Sequence, residues 1–160
     1  MKTFTQQELD LIKQTQKSLI DCNGEYSITL LFNCMEILFI PQRKWLKTLP
    51  THDINLNEWG ISPKDIRICK VDYKDGVNYS TVKDDYSVRN VVRHIHNSVI
   101  RYWVAYSPAS ETERINMMSF WDRKDDRVNF QMGITVENFR VFLMKFSEML
   151  LTNQSITKGT

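Results

Sequence analysis

The stretch Ser87-Val88-Arg89-Asn90-Val91-Val92-Arg93-His94-Ile95-His96-Asn97-Ser98-Val99-Ile100-Arg101-Tyr102-Trp103 decides how the chain is read. Val88, Val92, Ile95, Val99 and Tyr102 step by four, three, four and three residues. At about 100° per residue, that spacing sets them on one side of an α-helix. The pattern predicts a helix over Thr81–Trp103. Asp84 and Asp85 lie near its start, where acidic groups suit the helix dipole.

Arg89, Asn90, Arg93, His94, Asn97 and Arg101 wrap onto the opposite side of this helix. Asn90 and His94, four residues apart, are surface neighbours, as are Arg93 and Asn97. No Asp or Glu occurs from Ser87 to Ser110, although acids make up 19 of the 160 residues. Guanidinium groups offer a planar fork of donors that suits phosphate oxygens. A histidine beside them titrates near neutral pH and can pass protons. These residue types suit a phosphodiester, but they also suit a merely solvated face whose arginines pair with distant carboxylates. If the face is a cleft, Arg89 and His94 should matter little for folding, and alanine at either should shift stability by no more than about 1 kcal/mol.

Downstream, Ile115–Trp121 and Val128–Ile134 predict a β-hairpin around the polar turn Asp122-Arg123-Lys124-Asp125-Asp126-Arg127. Val128, Phe130, Met132 and Ile134 alternate, as one buried sheet face requires. Thr135 is placed to cap a final helix, with Glu137 in its first turn. Phe139, Phe142, Leu143, Phe146 and Leu150 give that helix a buried stripe. The polar tail from Thr152 to Thr160 is expected to fray.

Upstream, Thr5-Gln6-Gln7-Glu8 has the form of a capping box. It opens a first helix carrying Leu9, Ile12, Leu19 and Ile20, with a stop expected at Asn23-Gly24. A second helix is expected from Tyr26 to Ile40, apolar on nearly all sides and therefore covered on most faces. Its greasiest part, Ile28–Ile40, contains Asn33 and Glu36 and is well short of the roughly 20 residues of a membrane span. Pro41 stops it. Residues 41–80 are irregular, with helical turns expected at Gln42–Lys47 and Asn57–Trp59. Trp45 and Trp59 are expected to pin this connection to the body.

The composition fits one ordinary domain. The chain has 160 residues, 42% of them hydrophobic and 25% charged, and a net charge of +2. So small a charge excludes a polycation that coats nucleic acid, and any such site must be local. Cys22, Cys34 and Cys69 are odd in number and lack a CxxC pair. They are read as small buried apolar residues in a reducing, cytoplasmic protein. No Walker loop, GxSxG or HExxH motif occurs, no metal or cofactor is expected, and no signal-peptide pattern opens the chain.

Arg89-Asn90-Val91-Val92-Arg93-His94 is an R-x4-H motif with Asn directly after Arg. It resembles the signature of the HEPN family, the higher-eukaryote and prokaryote nucleotide-binding domains. The context adds to the likeness: the amphipathic helix, the hairpin with Ser119-Phe120-Trp121-Asp122, the final helix, and Leu30–Ile40 followed by Pro41-Gln42-Arg43-Lys44-Trp45-Leu46-Lys47-Thr48-Leu49-Pro50. The last resembles a bacterial and plasmid-borne branch of the family. Two departures stand out. Ile95-His96-Asn97 follows the motif histidine where many relatives carry glycine, and Arg93 precedes it where a small residue is frequent.

The resemblance implies a mainly α fold: a HEPN-like helical bundle over residues 1–151, with a small β-hairpin inserted before the last helix and a polar tail at 152–160. It implies a homodimer that joins two motifs in one cleft. It also implies a metal-independent endoribonuclease of toxin, defence or stress type, leaving 2′,3′-cyclic phosphate ends on single-stranded RNA. In that scheme His94 transfers protons, Arg89 binds the phosphate, and Asn90 orients His94 or bonds the phosphate. Arg93, Asn97 and Arg101 would contact substrate. His96, two residues on, would face away from His94. A partner antitoxin protein is possible within this scheme, and a membrane association is not expected. The alternative is a non-catalytic HEPN dimer that binds RNA, a nucleotide or a protein partner.

Overall fold

The computed structural model describes residues 4–21, 28–39, 49–68, 85–108, 115–124 and 126–157. The capping box forms as expected. Thr5 N–H donates to Glu8 Oε2 at 2.8 Å, and Glu8 N–H donates to Thr5 Oγ1 at 3.2 Å. Each group satisfies an amide that the helix leaves unpaired. Helix α1 spans Gln6–Asp21 and buries Ile12, Thr15 and Leu19, whereas Ile20 is exposed. Helix α2 spans Ile28–Phe39 and buries Leu31, Cys34 and Met35, while Asn33 and Glu36 face outward. The expected stop at Asn23-Gly24, the turn at Gln42–Lys47, Trp45, Cys22 and Cys69 lie outside the described residues.

The expected mainly α bundle with one small hairpin is corrected here. The described residues form four α-helices and a four-stranded antiparallel sheet in the order β1-β4-β3-β2. The hairpin strands are β3 (Ile115–Lys124) and β4 (Arg127–Thr135). Strand β1 (Ile66–Ile68) pairs with β4, and β2 (Val104–Pro108) pairs with β3. A lone two-stranded hairpin is marginal in water, and a short strand on each side adds pairing at Phe130–Met132 of β4 and Met117–Phe120 of β3. The domain is therefore α+β, with helices packed on one face of a sheet.

That face is read from burial. Ile66, Ile68, Phe130, Met132, Ile134, Met118 and Phe120 are all buried, while Arg67 and Gln131 on the other face are exposed. Helix α4 (Val136–Thr157) lies against the buried face, with Phe120 and Phe139 in ring contact at 5.4 Å. Thr135 Oγ1 accepts from Asn138 N–H at 3.1 Å and caps its start. Phe139, Phe142 and Phe146 stack along the helix with centroids 6.2 and 6.4 Å apart. Burying each ring contributes roughly 1.5–3 kcal/mol. The helix continues past Leu151 to Thr157. Among the described residues, no helix is long and apolar enough to cross a membrane.

The connection at 49–61 is tied down at both ends. Ile54 N–H donates to Tyr86 O at 3.1 Å, and Arg89 N–H donates to Pro50 O at 3.2 Å. At its far end, Trp59 packs on Phe142 at 5.5 Å, as expected of an aromatic pin. Gly60 follows with φ 76°, and a Cβ there would sit 2.6 Å from the Asn138 carbonyl oxygen. Glycine alone fits both the left-handed backbone and this approach to α4.

Helix α3 is shorter than expected and spans Val88–Ile100. Ser87 is its N-cap, accepting from Asn90 N–H at 3.3 Å. The C-terminus closes in a paired turn: Trp103 N–H bonds Ser98 O at 2.8 Å, and Tyr102 N–H bonds Val99 O at 3.1 Å. That pattern needs one left-handed residue, and Tyr102 supplies it with φ 58°. Tyr102 consequently leaves the apolar stripe and is 91% exposed. Val88, Val92 and Ile95 of that stripe are buried, and so is Val91.

Candidate active site

The polar side of α3 is not a free surface. Asn90, His94 and Ser98 are buried along with the apolar stripe, because α3 packs against strand β3. Strand β3 carries Met118, Phe120 and Asp122 in alternation on its buried face. Asp122 therefore belongs to a strand, facing Phe130 of β4, rather than to the hairpin turn where the sequence put it. Beyond it the pairing shifts to Arg123↔Val128, a bulge that skips Asn129.

Asp122 and His94 are the centre of the arrangement. His94 Nδ1 lies 2.9 Å from Asp122 Oδ2, with side chains only 3% and 4% exposed. The same carboxylate oxygen accepts from Asn97 Nδ2 at 3.0 Å. Oδ1 accepts the Arg123 backbone N–H at 2.8 Å and lies 3.6 Å from Arg101 NH1. The His94 ring stacks on Phe130, with centroids 4.9 Å apart and planes within 3°.

Protonation follows from these contacts. Burial pulls the His94 pKa down, and the Arg93 guanidinium adds to this. The hydrogen bond to Asp122 and the charges of Asp122 and Asp85 oppose it, and the net value lies below the ordinary 6.5. Burial pushes Asp122 up, but hydrogen bonds from His94, Asn97 and Arg123 outweigh it and leave the carboxyl below its usual value. At neutral pH the pair is an ionised Asp122 and a neutral His94. A carboxylate only accepts, so His94 Nδ1 carries the proton and Nε2 keeps its lone pair.

Arg93 guards that lone pair. Its NH2 sits 3.3 Å from His94 Nε2 and also donates to Asn90 Oδ1. Asn90 is held from the other side, with Nδ2 donating to Asp85 O at 2.8 Å. Asn90 thus acts on His94 through Arg93. Arg89 points toward the connection: its Nε and NH2 donate to Leu49 O at 3.0 and 2.7 Å. Asn90, Arg93 and His94 come together, Asn97 and Arg101 join them through Asp122, and Arg89 braces the loop that flanks them. With His94 2% exposed and Arg89 holding Leu49, alanine at either position is expected to cost more stability than a cleft residue would.

His96 lies elsewhere, on a cavity of about 500 Å³ lined also by Phe32, Met35, Glu36, Tyr102 and Tyr106. Among the described residues no group of three or more His, Cys, Asp and Glu side chains gathers where a metal ion could be held.

Asp122 is the residue the sequence reading missed as a site residue. Its signal was the alternation Met118, Phe120, Asp122, which carries an acid onto the sheet's buried face. The Leu49 carbonyl is backbone and leaves no such signal.

Among known proteins, a family model described as HEPN pEK499 p136 matches residues 1–157. Comparisons with curated proteins and with solved structures give no match.

Proposed function

The chain belongs to the HEPN family, and from that premise we propose that it is a metal-independent endoribonuclease of toxin, defence or stress type acting on single-stranded RNA. The observation that carries the reading is the chain Asp122–His94–Arg93, built on the R-x4-H helix. Asp122 is a positioning residue: it fixes the His94 tautomer and ring so that Nε2 is the working base. His94 Nε2 takes the 2′-hydroxyl proton, and the 2′-oxygen attacks the adjacent phosphorus. The bond from phosphorus to the 5′-oxygen breaks, and that oxygen leaves as a hydroxyl by taking the proton that His94 Nε2 then holds. The products are a 2′,3′-cyclic phosphate and a 5′-hydroxyl.

Arg93 is exposed, and in this scheme its side chain leaves Nε2 and Asn90 Oδ1 for a bound phosphate. There it uncovers the base and places a cation beside the charge developing on the phosphate oxygens. Asn97 and Arg101 extend the polar contacts from the same side. Arg89, in this scheme, reaches phosphate only after releasing Leu49, and otherwise holds the flanking loop in place. A homodimer, as in HEPN proteins generally, would set two such centres in one cleft. Light scattering at about twice 19.0 kDa tests that assembly. An antitoxin protein is the partner this scheme would need for control.

The deciding experiment incubates pure protein with single-stranded RNA in EDTA, beside His94→Gln and Asp122→Asn. Cyclic-phosphate ends from wild type, lost in His94→Gln, support the nuclease. Equal cutting by His94→Gln removes this site from the reaction. The burial of His94 favours a second reading, a non-catalytic HEPN module that binds RNA, a nucleotide or a protein partner. Wild type that binds RNA and leaves it intact would establish that reading.

A further inference from the structure

The turn that ends α3 delivers Trp103 to the side of strand β3, where Trp121 N–H donates to the Trp103 carbonyl at 3.2 Å. Two guanidinium groups gather on this half-buried indole. The Arg101 and Arg123 guanidinium carbons lie 5.1 and 5.8 Å from the Trp103 ring centroid. Arg101 also reaches the Arg123 carbonyl at 3.4 Å. Both arginines are exposed, on a stretch of chain where Asp122 is already committed to His94, Asn97 and Arg123. Arg101 is 3.6 Å from Asp122 Oδ1, so the cluster and the His94 centre share one carboxylate.

The chemistry of this cluster is specific. Indole and guanidinium planes are surfaces on which unpaired bases stack. A guanidinium lying on a ring keeps its N–H edge turned outward, where it suits phosphate oxygens. An acidic protein segment would use the two charges but gain little from the indole. A single RNA strand uses both.

We infer that Arg101, Trp103 and Arg123 form a base-stacking subsite for single-stranded RNA beside the phosphate that His94 addresses. One unpaired base lies on the Trp103–guanidinium stack, and the neighbouring phosphates meet Arg101 and Arg123. The inference rests on the reading of the His94 site as an RNA site, and it adds Trp103 and Arg123 to the binding surface. It makes strand recognition depend on a base, not on phosphate charge alone.

The test uses a fluorescein-labelled 2′-O-methyl RNA strand, which lacks the attacking hydroxyl, and the same strand with abasic sites at its centre. Wild type should bind the base-bearing strand about tenfold more tightly than the abasic one, the scale of one base stack. Trp103→Leu should erase that difference, Trp103→Phe should keep part of it, and Arg123→Gln should weaken both strands. Melting curves show which variants remain folded; Trp103→Phe and Arg123→Gln change the least. If wild type cuts RNA but these variants bind both strands as wild type does, the subsite is wrong and the nuclease reading stands. If binding depends on the base as described but no RNA is cut, the subsite stands and the nuclease reading falls. If wild type binds neither strand, the subsite is overturned.

Discussion

Asp122 accepts a 2.9 Å hydrogen bond from His94 Nδ1 across 28 residues of sequence, joining the sheet to the motif helix at a buried point. A single carboxylate thereby fixes which ring nitrogen is protonated, and it leaves Nε2 for Arg93 or for a substrate hydroxyl. The same bond is a packing element, because the His94 ring lies flat on Phe130. Site geometry and core stability are coupled here.

Replacing Asp122 with asparagine keeps the volume and removes the charge. His94 then loses an ionised acceptor, and its tautomer is no longer dictated. Losing charge-assisted hydrogen bonds of this kind costs about 1.5–3 kcal/mol of stability. Loss of an orienting carboxylate behind a general-base imidazole lowers activity by up to about 10⁴-fold. Urea denaturation and RNA cleavage rates measure the two effects. An Asp122→Asn protein with wild-type stability and rate would show that the bond positions nothing.

Acid should destabilise the fold through His94. Its folded pKa is below the unfolded value near 6.5, so below that pH the unfolded chain binds the extra proton. The stability contributed by neutral His94 is present above about pH 6.5. It is lost as pH falls from there toward the folded pKa. Asp122, also depressed, adds a second loss at more acidic pH, as its carboxylate protonates. His94→Gln should flatten the dependence of the melting temperature on pH just below about 6.5. A His94→Gln curve parallel to wild type over that range would assign the slope to another group.

Gly60→Ala should be among the most damaging small changes in the chain. A side chain at φ 76° is strained, and its Cβ would meet the Asn138 carbonyl at 2.6 Å. Left-handed strain alone costs about 1–3 kcal/mol. Moving the loop off α4 would also disturb Trp59 on Phe142. Chemical denaturation should show a loss of at least about 2 kcal/mol. An unchanged midpoint would mean that the loop does not press on α4 in solution.

The elements that sequence exposes are those with a period or a cap. The Thr5–Glu8 box, the stripe of α3 and the Thr135 cap with its phenylalanine ladder are local patterns, and each forms. Strands β1 and β2 were illegible for physical reasons. Three residues, Ile66–Ile68, carry too little alternation to read, and β2 ends at a proline directly after an apparent helix. The end of α3 was hidden because tyrosine, not glycine, takes the left-handed position. At the site, helical spacing grouped Asn90, Arg93, His94 and Asn97 but could not say which way they face. That depended on a sheet partner, Asp122, whose register is set by pairing over long range.

Arg93→Gln separates the two roles given to the arginine. In the free protein its charge is one of the causes holding the His94 pKa down, after burial. Removing that charge should raise the His94 pKa toward, but not to, its ordinary value, because burial remains. Two-dimensional NMR of the imidazole through a pH titration reads this directly. The exposed side chain contributes little packing, so the melting temperature should stay near wild type. A higher pKa alone would leave more His94 protonated at neutral pH, and an added loss of phosphate stabilisation should lower cleavage further. Measured well above the new pKa, where His94 is neutral in both proteins, the remaining deficit is the contribution of the cation. Equal rates there would leave Arg93 as a guard of Nε2 with no part in stabilising the reacting phosphate.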